Sequence, residues 1–351
     1  MNDLKQTKFK TRFHPFNKKQ EKYCRILEKF YSIAPSEIID AIKIEIFHPK
    51  KGLEERKKAY KDFKSIILAL KPIFEEIIYE RNRIFPEDGD KNYFDFIARR
   101  NGIPPEKLGL FFQRADEVIK DINQNLPLPK KLPRWYWSKF NIPDSLYFFH
   151  EAHRYSIPDD VHRLAKNAFP EVERVIPRIE IKQKMGCYSY AKFIKETKSV
   201  LIEVPTKPSI YNALTFVHEL GHALSLLELA DKGVDPYTKS RYWHEKEAYK
   251  FKFKFEEKCL PEEIKNASRG ERLGNFLTTF FEYEIYNNPD QDFDKAYAKA
   301  INHCYPGKAN QKQNPFYVIE EGFIDRPCDN TTTSVVCTEL LLSNLSNRFT
   351  L

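Results

Sequence analysis

The sequence Thr-Phe-Val-His-Glu-Leu-Gly-His-Ala-Leu-Ser occupies residues 215–225 and contains the pattern His-Glu-x-x-His. On a helix, His218 and His222 lie one turn apart on the same side, so both imidazoles reach one point in space. Such a point suits a zinc ion, and Glu219 is placed to act as a general base toward a water molecule there. The stretch therefore predicts a helix that carries a zinc site.

The residues around this pattern predict that the helix is buried. From Ala213 to Leu229 nearly every other position is apolar, and a helix that is apolar on all sides lies inside a protein. Two imidazoles and a carboxylate buried there would each cost about 1–3 kcal/mol if they had no partner. The alternative, that both histidines are ordinary core residues, leaves that cost unexplained, whereas a shared metal ion removes it.

The composition is that of a globular protein. The chain has 351 residues, 41% of them apolar and 14% aromatic, and its formal net charge is +8. Most basic residues have acidic neighbours, which is typical of a solvated surface. The first twenty residues contain six Lys or Arg, but an ordinary charged tail explains them better than a nucleic-acid-binding segment. We therefore predict no nucleic-acid partner, while the oligomeric state stays open.

Neither a signal peptide nor a membrane span is predicted, because no apolar segment has the required length and position. The six cysteines are scattered without a Cys-x-x-Cys pair, which is typical of reduced thiols. These patterns predict a soluble, cytoplasmic protein that has no membrane partner.

The chain reads as helices on both sides of a short β-rich window. Residues 1–130 are predicted to be helical, including a long amphipathic helix over 53–85 that bends at Pro72. Strand-like segments cover 178–182, 188–194 and 200–204, followed directly by the motif helix and by further helices. The sequence thus predicts a mainly α fold with a small β-sheet, in the α+β class. We divide it into residues 1–130 and 131–351, which can also form one continuous domain.

A catalytic zinc site requires a third protein ligand. Glu228, six residues after His222, points away from it on a continuing helix. The segment after the motif helix offers His244, Glu245 and Glu247. We favour Glu247 because it precedes a small residue and shares a helical face with two phenylalanines that we expect to be buried, at positions 251 and 255.

At this point the sequence resembles the zinc metallopeptidases typified by thimet oligopeptidase and oligoendopeptidase F. Residues 218–224, with a glutamate twenty-five residues beyond the second histidine, carry the resemblance. Residues 184–188 are similar to the Gly-Ala-Tyr strand of that family, and 314–318 resemble its Phe-Tyr-Val stretch. The resemblance covers about residues 130–325 and implies a zincin-like catalytic core of the gluzincin type, with the His-Glu-x-x-His motif on a buried helix.

The resemblance also implies a substrate-binding strand and a transition-state donor. The strand corresponds to Gly186, Cys187 and Tyr188. Tyr317 is the first candidate for the donor and His303 the second. The chain departs from the family where further tyrosines are expected, since Ile and Glu stand at positions 319 and 321. It is also much shorter than typical members.

The sequence therefore predicts a peptidase with one Zn²⁺ per chain, held by His218, His222 and Glu247. Glu219 is expected to assist the attack of water on the peptide bond, and short unstructured peptides are the expected substrates. Three alternatives remain open: a dedicated protein-processing protease, a non-peptide hydrolase, and a zinc-stabilised binding protein without activity. The presence of Glu219 disfavours the last, because a purely structural site needs no base.

Overall fold

The computed structural model confirms a mainly helical fold with one small sheet. No helix in the described part of the chain is long and apolar enough to cross a bilayer. The structure describes residues 18–35, 37–39, 41–42, 53–126, 159–184, 189–205, 210–306, 317–318, 323–324 and 327–348.

Helices come first in the described part of the chain. They are α1 (Lys18–Ile33), α2 (Leu53–Ile84), α3 (Tyr93–Arg100) and α4 (Pro105–Asn125). The long helix α2 matches the predicted one and contains Pro72. Helix α3 lies within the region predicted to be helical and begins where the Asn92 side chain accepts the backbone N–H of Asp95.

Two short helices lead into a sheet of three strands. Helices α5 (Asp159–Ala168) and α6 (Pro170–Val175) are followed by β1 (Ile179–Lys184), β2 (Tyr190–Ile194) and β3 (Ser199–Pro205). The strand order is β1-β3-β2, with β1 parallel and β2 antiparallel to β3. Among the described residues β2 is therefore an edge strand, and the side of its backbone that faces away from β3 pairs with no other described strand.

The sheet packs against two helices that cross closely. Helix α7 (Ile210–Asp231) carries the motif, and α8 (Arg241–Cys259) follows it after a short 3₁₀ turn at Pro236–Thr238. A Cβ atom at Gly221 of α7 would lie 2.7 Å from the backbone oxygen of Ala248 in α8. The two helices thus approach at a point where only glycine fits.

Three more helices, α9 (Glu262–Asn287), α10 (Phe293–Cys304) and α11 (Asp329–Arg348), complete the described fold. They join α1–α4 around the larger of two main hydrophobic clusters, here called the large aromatic core. The second, here called the sheet core, lies between the sheet, α5, α6, α7 and one face of α8.

The predicted domain boundary at residues 130/131 falls within 127–158, outside the described residues. The large aromatic core takes side chains from both of the predicted regions. The division into two regions stays a prediction, and one continuous domain is equally compatible with this core.

Candidate metal and catalytic site

The two motif histidines point their Nε2 atoms at the same place. These atoms are 3.0 Å apart, and the rings are nearly perpendicular, with an interplanar angle of 85°. Burial and the neighbouring His218 lower the pKa of His222 to about 3. The ring of His222 is therefore neutral near pH 7, which is the form that binds metal ions.

A carboxylate from α8 completes the group. Glu245 Oε2 lies 3.2 Å from His218 Nε2, and Glu245 Oε1 lies 3.9 Å from His222 Nε2. Burial would raise the pKa of Glu245, but the hydrogen bond with His218 and the positive charges of His218 and Arg241 outweigh it and lower the pKa to about 2. Among the described residues, His218, His222 and Glu245 are the one group of His, Cys, Asp or Glu whose ligand atoms are close enough to share a metal ion.

The structure brings Glu245 to the two histidines, and not Glu247, which was the predicted third ligand. Helix α8 begins where the Ser240 side chain accepts the Trp243 N–H, and it turns the face with Glu245 and Ala248 toward the motif helix. Glu247 accepts a 2.6 Å hydrogen bond from Lys250 instead. Its helical neighbours 251 and 255 are buried, as predicted, but in the sheet core and not at the histidines.

The three residues fit a zinc ion. Ligand atoms at tetrahedral positions about 2.0–2.1 Å from zinc are about 3.3 Å apart, and two of the observed separations are 3.0 Å and 3.2 Å. Two histidines and a glutamate form a known donor set of catalytic zinc, which leaves the fourth position open.

Glu219 lies beside this group and contacts the edge strand. Its side chain is buried and accepts a hydrogen bond from the backbone N–H of Ala191 in β2. Burial raises the pKa of Glu219 to about 7, against the opposing effect of His218. A carboxylate with a pKa near the working pH can both accept and release a proton.

Arg241 connects the carboxylate ligand to the last helix. Its Nε lies 3.9 Å from Glu245 Oε1, and its Nη1 donates a 2.7 Å hydrogen bond to Asp329 in α11. Arg241 and Glu245 are one turn apart on α8. This contact limits the orientations that the Glu245 carboxylate can adopt.

A buried ion pair that was not predicted lies behind the site. Lys252 is 3% exposed, and its Nζ is 2.9 Å from Glu271 of α9. Lys252 lies two turns beyond Glu245 on the same face, so the heptad spacing could have revealed it. His218 Nδ1 is buried without a hydrogen-bond partner, and its ring packs against Tyr249 at 4.7 Å.

No described contact brings either predicted transition-state donor to the two histidines and Glu245. Tyr317 is fully buried in the large aromatic core, and its hydroxyl donates to Asp294 at 2.9 Å. His303 in α10 has its Nε2 2.6 Å from Asp116 and its ring 4.2 Å from Phe280. Both side chains thus have partners away from the histidines.

The predicted substrate strand cannot be described in the same way. Gly186, Cys187 and Tyr188 fall within 185–188, outside the described residues. Their role stays a prediction. The next residues along the chain enter β2, whose Ala191 contacts Glu219.

No protein-family model and no curated protein sequence matches this chain. Eleven chains of solved structures do. PZ peptidase A with inhibitor 2 matches with a TM-score of 0.57 and 14% identity, over 91% of this chain and 64% of the other. A putative oligoendopeptidase F from Bacillus anthracis str. Ames matches with a TM-score of 0.57 and 14% identity, over 94% and 65%. A further putative oligoendopeptidase F gives 0.59 and 13%, over 94% and 67%.

The chain spans about two thirds of the length of these structures. At this level of identity the similarity concerns the fold, and the resemblance identified from the sequence is confirmed to that extent. The chain therefore has the fold of oligoendopeptidase F and PZ peptidase A.

Proposed function

We propose that this protein is a zinc-dependent peptidase in which His218, His222 and Glu245 hold the metal ion. The observation that carries the proposal is the convergence of these three side chains on one point, with the carboxylate of Glu219 beside it. The peptidase names of the three solved structures with the same fold support the same conclusion.

When bound, zinc would supply Lewis acidity, which polarises the substrate carbonyl and makes a water molecule more acidic. Glu219 acts as the general base: it accepts a proton from the attacking water and passes it to the leaving amine. Glu245 and Arg241 keep the site in place while the peptide bond is cut.

The edge of β2 supports a peptide as the substrate. Its free side presents backbone hydrogen-bonding groups next to Glu219, and an extended peptide can pair with such an edge. A folded protein offers an extended segment only after local unfolding. We therefore propose short, unstructured peptides as substrates, located between the strand edge and the motif helix.

The proposal is tested by metal analysis combined with a cleavage assay. The purified protein, the chelator-treated protein and the zinc-restored protein are incubated with a peptide mixture, casein and a compact folded protein. We expect zinc-dependent cleavage of the peptides. In Glu219→Gln the zinc content should be unchanged and turnover about 10²–10⁴ times lower, because only the base is lost.

Two results would contradict this proposal. If Glu219→Gln cleaves peptides nearly as fast as the parent, Glu219 is not the base. If the folded protein is cut at a specific position while the peptides stay intact, the protein is a dedicated processing protease.

A further inference from the structure

The side of β2 that faces away from β3 forms hydrogen bonds with side chains at two positions. In an antiparallel strand, alternate residues present both their N–H and C=O groups to the same side. The N–H of Ala191 binds Glu219, and the C=O of Phe193, two residues further, accepts a 3.0 Å hydrogen bond from the Tyr237 hydroxyl. Both residues therefore face away from β3, and Tyr237 takes the acceptor that a bound peptide would use at Phe193.

Tyr237 is held at this position by several contacts. It lies in the 3₁₀ turn between α7 and α8, where the Asp235 side chain accepts its backbone N–H at 3.0 Å. Asp235 also accepts a 2.7 Å hydrogen bond from Lys195, directly after β2, and the Lys195 ammonium group lies 5.9 Å from the centre of the Tyr237 ring. Hydrogen bonds thus connect the turn to the end of the edge strand.

A second contact fastens the same turn to α8. His244 Nε2 lies 3.1 Å from the backbone oxygen of Pro236. The side chain of Tyr237 is nonetheless 56% exposed, so the ring extends into solvent beside the strand and is not part of either core. Tyr237 therefore lies beside the outward side of β2 at Phe193.

The direction of a bound peptide decides whether Tyr237 limits the residues upstream or downstream of the cleaved bond. Antiparallel pairing is the more stable arrangement. It directs the residues upstream of the cleaved bond toward Phe193, while the bond itself lies near Ala191, at Glu219. Phe193 is two residues beyond that point, about 6.6 Å along the strand.

We infer that Tyr237 closes the upstream end of the substrate-binding edge, so that only about two residues before the cleaved bond pair with β2. The inference rests on the proposed peptidase function and makes it more specific. Peptides with more upstream residues gain nothing from them, because the next backbone acceptor is already bound to Tyr237.

The test is a series of peptides with one to six residues before the cleaved bond and a constant downstream part. We expect kcat/KM to rise up to about two upstream residues and then to level off or fall. In Tyr237→Phe the Phe193 carbonyl becomes free. The ratio of kcat/KM for long over short peptides should then increase about three- to tenfold, the contribution of one hydrogen bond. Tyr237→Ala should increase the ratio further.

Tyr79→Phe is the matched control, because Tyr79 is also exposed and donates its hydroxyl to a carboxylate, that of Asp290, but lies in α2. It should leave the ratio unchanged. Zinc content and the thermal transition establish that each variant is folded.

The failures are distinguishable. If the parent protein cleaves no peptide, the proposed function fails. If the parent cleaves peptides but its rate keeps rising to six upstream residues, or both Tyr237 variants behave like the parent, this inference is wrong and the peptidase function stands. In a second series with varied downstream length, a limit on that side instead would also overturn it, since it would require the opposite peptide direction.

Discussion

The large aromatic core and the sheet core differ in how their buried polar groups are satisfied. In the large aromatic core, Arg81 is 1% exposed and donates to the hydroxyls of Tyr23 and Tyr286 and to the backbone oxygen of Phe323, at 2.6–3.1 Å. Beside the sheet core, the potential donors and acceptors of His218 and Glu245 converge on one another instead.

This difference explains which buried residues form a site. Arg81 uses its polar groups on fixed neighbours and serves the packing of α1, α2 and α9. The histidines and Glu245 have few other partners, and His218 Nδ1 has none. Burial of a chemically capable residue is therefore not sufficient; the candidate site is marked by ligand atoms from two helices that converge on one point.

The largest expected effect concerns the third ligand. In Glu245→Ala, zinc should be lost on dialysis, and peptidase activity should fall about a thousandfold or more, because metal catalysis contributes several kcal/mol. Glu247→Ala, two residues away on the same helix, is the matched control and should keep both. Zinc content by elemental analysis and kcat/KM measure the two effects. Zinc loss in the Glu247 variant alone would restore the sequence prediction and refute the geometry.

The second prediction concerns how the buried carboxyl group of Glu282, in the large aromatic core, makes stability depend on pH. Glu282 in α9 is 1% exposed; burial raises its pKa from 4.5 to about 8, although the hydrogen bond from the Cys328 N–H and the charge of Arg81 oppose this. The neighbouring Asp329 raises it further. Glu282 thus favours the folded state fully below about pH 4.5, and this contribution is lost as the pH rises toward 8.

In Glu282→Gln this pH-dependent loss of stability should be absent. Its free energy of unfolding relative to the parent should increase between pH 4.5 and 8, by at most roughly 3–5 kcal/mol at 1.36 kcal/mol per pKa unit, and stay constant above pH 8. Denaturant unfolding at several pH values measures it. A parallel pH dependence of parent and Glu282→Gln would mean that Glu282 is charged in the core.

A third, smaller effect concerns the helix crossing that positions the site. In Gly221→Ala the new methyl group would meet Ala248 backbone atoms at 2.7 Å and 2.8 Å, so α7 and α8 must separate. We expect a loss of about 1–3 kcal/mol in stability and weaker zinc binding, because Glu245 moves with α8. Gly109→Ala in α4 meets no atom within 4 Å and should gain about 0.5–1 kcal/mol. Thermal unfolding and zinc titration measure both. Unchanged zinc affinity in Gly221→Ala would show that the crossing does not set the ligand geometry.

The sequence predicts the fold well where one pattern has one interpretation. The motif helix is apolar on all sides and lies buried, and the three predicted strands appear in order within the described residues. The two histidines and Glu219 also come together as the helical spacing requires. These features depend on local periodicity, which the sequence contains directly.

The position of Glu245 beside the histidines could not be predicted because α8 has two buried faces. Phe251 and Phe255 enter the sheet core, whereas Tyr242 and Tyr249 enter the large aromatic core. Apolar periodicity therefore does not reveal which face meets the motif helix. That choice is made by the contact of Ala248 with Gly221, which depends on tertiary packing.

The smallest expected effect separates the two roles considered for Tyr317. Its hydroxyl donates to Asp294, its ring packs against Phe74 and Phe281, and no described contact reaches the histidines. In Tyr317→Phe, Asp294 keeps its 2.9 Å ion pair with Lys71. The loss in stability should therefore be only about 1 kcal/mol, that of one hydrogen bond.

Peptidase activity of Tyr317→Phe should stay within about twofold of the parent, since a residue that acts only in packing does not touch the reacting atoms. A donor to the transition state would behave differently: its loss lowers kcat by about 10²–10³. Measuring kcat and the unfolding transition on the same preparation distinguishes the two. A large loss of kcat with unchanged stability would show that Tyr317 reaches the substrate. The large aromatic core would then take part in the chemistry that we propose for the histidines beside the sheet core.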